Sequence, residues 1–98
     1  MSAPEHGDPH VHRRVLYEGR VQGVGFRYTC AKIAKRYRVD GYVKNLANGQ
    51  VELAVSGPAA VVEQFLADVA AAFSGYIERS SSSEFEPAEL PADFHIRY

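Results

Sequence analysis

Val39-Asp40-Gly41-Tyr42-Val43-Lys44-Asn45-Leu46, then Ala47-Asn48-Gly49-Gln50, then Val51-Glu52-Leu53-Ala54-Val55-Ser56: this run decides the fold. Asn48-Gly49 is the strongest short hairpin signal. Val51, Leu53 and Val55 alternate with Glu52, Ala54 and Ser56, so a strand follows the turn as one precedes it. On either side of the hairpin the apolar period changes from two to between three and four. Phe26, Cys30, Ile33, Ala34 and Tyr37 recur at helical spacing before it, with Lys32, Lys35 and Arg36 facing away. After it, Gly57-Pro58 opens a second helix whose stripe is Val61, Val62, Phe65, Leu66, Val69 and Phe73, and Gly75 ends it.

Outside the helices the pattern returns to alternation. From His12 to Val21, Val15, Tyr17, Gly19 and Val21 lie on one side and Arg14, Leu16, Glu18 and Arg20 on the other. Residues 76 to 85, with the run Ser80-Ser81-Ser82-Ser83, form a weak fourth strand, and Phe94, Ile96 and Tyr98 alternate in a short last one. The order is βαββαβ plus a terminal strand. Two amphipathic helices need a shared apolar surface, so the reading is α+β: a ferredoxin-like two-layer sandwich with both helices on one face of an antiparallel sheet.

A chain of 98 residues, 46% apolar and 23% charged, supports one domain, expected over residues 12–98 behind a flexible tail at 1–11. No apolar stretch approaches the ~20 residues of a membrane span, and the N-terminus has no signal-peptide core, so a cytoplasmic protein that does not touch membranes is expected. Cys30 is a lone cysteine, which excludes an internal disulfide and a cysteine-rich zinc site. His6, His10 and His12 lack a rigid scaffold, so no metal and no cofactor are expected. The net charge of -1 divides unevenly, +5 over residues 1–44 and -6 over 45–98. A basic half fits an anionic ligand, and fits an ordinary solvated surface as well.

Gly19-Arg20-Val21-Gln22-Gly23-Val24-Gly25-Phe26-Arg27 joins the first strand to the first helix. Glycines let successive backbone N–H groups converge, the first N–H groups of a helix have no internal partner, and Arg27 adds a planar charged fork. Each feature favours a phosphate; the same residues also suit a plain tight turn with a solvated arginine. Asn45 fits a strand poorly, and Asn48-Gly49 already supplies the turn. It either caps the strand end or uses its carboxamide to orient a water. Cys30 to Arg36 has the Cys-x5-Arg spacing of cysteine phosphatases, yet it has no glycine loop and continues the helical period, so Cys30 reads as a buried inert thiol. The serine run lacks the Gly-x-Ser-x-Gly elbow of a serine nucleophile.

The run from Gly19 to Arg27, followed by Gly41-Tyr42-Val43-Lys44-Asn45 and Asn48-Gly49-Gln50-Val51-Glu52, resembles the acylphosphatase family, from about Arg14 to the closing Phe94-His95-Ile96-Arg97-Tyr98. The resemblance implies a small metal-free hydrolase of the carboxyl–phosphate bond of acyl phosphates, expected as a monomer releasing inorganic phosphate. It also implies that Arg27 and Asn45 are catalytic and that the amides of Gln22, Gly23, Val24, Gly25, Phe26 and Arg27 bind phosphate. Lys44 and Asn48 stand where arginine and aspartate are commoner in the family, and the segment around Ser80–Ser83 matches weakly. A similar module opens the hydrogenase maturation proteins, which are larger carbamoyl-transfer enzymes; a chain ending at Tyr98 without zinc-finger cysteines favours the small enzyme. RNA-recognition domains share the strand order, but there the Gly-x-Gly-Phe run belongs on a central strand, whereas Gly23-Val24-Gly25-Phe26 precedes the first helix, so no nucleic-acid partner is expected.

Overall fold

The computed structural model describes residues 9–85, 90 and 92–98. Its elements are β1 (His10–Gly19), α1 (Phe26–Tyr37), β2 (Asp40–Asn45), β3 (Val51–Pro58), α2 (Ala59–Ala72), β4 (Ile77–Glu84) and β5 (Phe94–Arg97). The sheet order is β4-β1-β3-β2-β5, with β1, β2, β3 and β4 paired antiparallel, as the ferredoxin-like reading requires. The last strand departs from the antiparallel expectation. β5 runs parallel to β2, with Gly41 opposite Phe94 and Val43 opposite Ile96. The physical reason is where the strands end: β4 finishes at Glu84 opposite Arg13, at the same end of the sheet as Gly41, so β5, which begins at Phe94 beside Gly41, starts where β2 starts and runs in its direction.

Two boundaries also move. β3 continues through Gly57 and Pro58, which face Val11 and His10 of β1 across the sheet. Pro58 therefore stands in extended conformation as the cap of α2 and is not in its first turn. β1 correspondingly starts at His10, two residues before the expected start, and the Ala59 amide donates to the Pro9 carbonyl at 2.9 Å. Residues 1–8 of the expected tail, His6 included, lie outside the described residues.

Both helices pack on one face, over Val15, Tyr17, Val43, Val51, Leu53 and Val55 of the sheet, which are buried with Phe26, Cys30, Ile33, Val62, Phe65 and Val69 of the helices. Phe26 is the joint between layers. Its ring stacks on Phe73 at 4.4 Å and tilts against Tyr17 at 5.0 Å, which pins the start of α1 to the sheet and to the end of α2. β3 is buried on both faces because it lies between β1 and β2; on the face without helices, the Glu52 carboxylate accepts a hydrogen bond from the Arg14 guanidinium. Tyr42 on that face has its phenol pushed up, first by burial and then by the charge of Glu52, and the Arg97 guanidinium covers its ring at 4.1 Å. Among the described residues no helix is long and apolar enough to cross a membrane.

Candidate active site

The β1–α1 turn forms one wall of a cleft. Gly23 and Gly25 have φ of 79° and 80°, the left-handed region where a side chain is strained, and Gly25 caps α1 without a side-chain hydrogen bond. The first backbone amide of α1 with a helical partner is that of Thr29, which donates to the Gly25 carbonyl at 3.0 Å. The amides of Phe26, Arg27 and Tyr28 precede it and have no carbonyl one turn back to bind. No acidic residue occupies that first turn. Positive partial charge therefore collects beside exposed glycine backbone, where nothing screens it from an anion.

Arg27 extends from that turn toward the C-terminal strand. Its Nη1 donates to the Arg97 carbonyl at 3.4 Å, and its guanidinium carbon lies 4.7 Å from the centre of the Tyr98 ring. Both contacts orient the fork without neutralising it, since neither partner carries the opposing charge of a carboxylate side chain. Asn45 approaches from the end of β2, on the side of the sheet that carries the helices, where it pairs with Val51. Its Oδ1 is buried and has no hydrogen-bond partner among the described residues. A buried acceptor left empty costs free energy unless something donates to it.

These groups meet in one cleft of about 190 Å³, lined by Val21, Gly23, Gly25, Phe26, Arg27, Tyr28, Asn45, Ile96 and Tyr98. The residues singled out in the sequence divide here. Gly23, Gly25, Phe26, Arg27 and Asn45 come together, although Arg27 and Asn45 are 18 residues apart in sequence. Gln22 and Val24 are not on the lining: Val24 packs against the core, and the Gln22 carboxamide turns to the β2–β3 hairpin, donating to the carbonyls of Leu46 and Gln50 at 2.8 Å each. Tyr28, Ile96 and Tyr98 were not legible as site residues. The alternation of Phe94, Ile96 and Tyr98 marks a strand, but only its parallel pairing with β2 carries its end back to Arg27.

Cys30 is fully buried in the core, and burial pushes its thiol far above its ordinary range. A thiol so placed is neither exposed nor ionised, which removes the cysteine-phosphatase reading of Cys30 and Arg36. Among the described residues, no group of three or more His, Cys, Asp or Glu side chains is close enough to hold a metal. The lining contains no carboxylate, imidazole or thiol side chain, so the cleft offers positive charge, polar backbone and one carboxamide.

The family model of acylphosphatases matches residues 13–96. The chain belongs to the acylphosphatase family. An acylphosphatase of Pediococcus pentosaceus is 48% identical over 82 residues, 82% of this chain and 90% of its own length. The crystal structure of the acylphosphatase of Bacillus subtilis superposes with a TM-score of 0.78 at 31% identity, covering 90% of this chain and 99% of that one. T. kodakarensis HypF contains a similar module, with a TM-score of 0.72 and 28% identity over 92% of this chain but only 12% of the HypF chain. Acylphosphatase activity, a hydrolase reaction on acyl phosphates, is thus the activity of the family to which this chain belongs.

Proposed function

We propose that this chain hydrolyses acyl phosphates to a carboxylate and inorganic phosphate, with Arg27 and the amides of the 22–27 turn holding the phosphoryl group and Asn45 holding the attacking water. The observation that carries this reading is the convergence of the Arg27 guanidinium and the orphaned Asn45 Oδ1 on one small cleft walled by left-handed glycines. The phosphoryl oxygens sit against the free amides at the start of α1 and take paired hydrogen bonds from the Arg27 fork. A water donates one hydrogen to Asn45 Oδ1, which turns a lone pair toward phosphorus. The new P–O bond forms as the bridging P–O bond breaks and its electron pair leaves on the carboxylate.

No strong base is required. A carboxylate leaves without prior protonation because its pKa is near 4, and a loose phosphoryl-transfer transition state needs positioning and charge stabilisation above all. The proton of the water goes to an oxygen of the phosphate being formed. Arg27 keeps its charge throughout, since guanidinium does not deprotonate at neutral pH.

The test is phosphate release from benzoyl phosphate by the purified protein with a chelator present. Turnover well above the spontaneous rate is expected, with phenyl phosphate a poor substrate because its phenoxide leaving group has no acid to protonate it. Hydrolysis no faster than the spontaneous rate would overturn the proposal.

A further inference from the structure

Tyr28 is 65% exposed, and it follows Arg27 directly on α1. It lines the catalytic cleft and also a second groove of about 510 Å³, where the other walls are Thr29, Lys32, Ile33, Arg36 and Ala72. Both depressions are lined by this one residue, which sets them side by side at the start of α1. The floor of the groove is apolar, through Ile33 and Ala72, and its rim is cationic. The Lys32 ammonium lies 5.8 Å from the Tyr28 ring centre.

The two rim cations are not equivalent. Arg36 lies in the field of the Asp68 carboxylate, which it helps to hold below its ordinary pKa after the larger effect of the Tyr37 hydroxyl. Lys32 makes no salt bridge among the described residues, and α1 carries no acidic residue at all. Lys32 is thus a cation held against an aromatic ring, four residues beyond Tyr28 and so one turn along the same side of α1. A flat acyl group lying along the Tyr28 ring brings a terminal acid toward that ammonium.

We infer that this groove is the acyl-group subsite, and that it selects acyl phosphates with a flat apolar body ending in a second acid. The inference rests on the hydrolase reading above, because it needs the phosphoryl group at Arg27. In-line displacement puts the leaving group on the side of phosphorus away from the water. Asn45 enters the cleft from β2 and Tyr28 from α1, so the water and the acyl group are served by different layers of the fold.

The experiment compares kcat/KM for 4-carboxybenzoyl phosphate, 4-methylbenzoyl phosphate and acetyl phosphate. The first two match in size and differ in the charge at the far end. Wild type favours the carboxylated substrate by about three- to five-fold at low ionic strength, the scale of an exposed ion pair, and added salt erases the preference. Lys32→Gln brings the ratio to about unity, and Lys32→Arg restores it. Tyr28→Ala lowers the ratio of 4-methylbenzoyl to acetyl phosphate by about three-fold or more, the effect of losing one aromatic face. An unchanged carboxy-to-methyl ratio in Lys32→Gln overturns the subsite while leaving the hydrolase reading intact. Absence of turnover of all three substrates by wild type overturns the hydrolase reading and the subsite with it.

Discussion

Gln22 is bonded to Leu46: its Nε2 donates to the Leu46 carbonyl at 2.8 Å, and the second hydrogen of the same amide goes to Gln50 at 2.8 Å. The turn that carries Gly23 and Gly25 is thereby tied to the residue after Asn45. Both carbonyls have backbone partners as well, from Gly49 and Leu46 at 3.1 and 2.8 Å, so the hairpin closes without Gln22. We predict that Gln22→Met folds and keeps phosphate binding but loses about ten-fold in kcat, on the scale of two neutral hydrogen bonds. In a double-mutant cycle with Asn45→Ala the two losses should be strongly non-additive, because Gln22 acts through the position of Asn45. Additive losses would mean that Gln22 has another role.

Arg27 and Asn45 should separate by what they touch. Arg27 meets an anion present in substrate, transition state and product, whereas Asn45 meets the water alone. Arg27→Gln is expected to lose turnover and inorganic phosphate binding together, and Asn45→Ala to lose turnover only. Phosphate binding is read as a rise in Tm, since a ligand at one hundred times its Kd stabilises the folded state by about 2.7 kcal/mol. The buffer must be sulfate-free at constant ionic strength, because sulfate fits the same cradle. Equal protection of all three proteins would show that Arg27 is not the phosphate ligand.

Gly25→Val should damage activity far more than Gly57→Ala. A Cβ at Gly25 meets nothing within 4 Å, so the cost comes from a β-branched residue at φ 80° and from a side chain placed at the cleft wall. Strain of that kind amounts to about 1–3 kcal/mol. At Gly57 the backbone is not left-handed, and an added Cβ reaches Val39 and Val62 at 3.5 Å, an ordinary contact. Urea melts and kcat of both variants check this; a fully active Gly25→Val would remove the cradle from the mechanism.

Cys30→Ser is expected to retain kcat and lose stability. The thiol lies in the core with no exposed surface, and a hydroxyl there lacks a ready partner, a loss of about 1–3 kcal/mol. Thiol reagents should modify the native protein only as fast as it unfolds. Loss of turnover in a folded Cys30→Ser protein would return the cysteine to the chemistry.

The kinds of element were written in the sequence because they depend on neighbours a few positions away. Alternation, helical period, Asn48-Gly49 and the paired glycines before Phe26 are local properties, and each became the element it indicated. The serine run carries no such pattern. It became β4 because β1 offers it a ladder, with Ser80 to Ser83 opposite Tyr17 to Arg14, so backbone pairing supplies what its side chains do not.

Tertiary structure alone decided where the ends of these elements meet. Nothing local to Phe94–Tyr98 says that its strand runs parallel to β2, yet that direction puts Tyr98 against Arg27 and completes the cleft. Nothing local to Gln22 says whether its side chain faces an anion or a hairpin; the close approach of β1–α1 to β2–β3 does. The empty acceptor on Asn45 has the same origin, since burial of a carboxamide depends on every element packed around it. Local sequence specifies which groups are available, and the packing of distant segments determines which of them share one small volume.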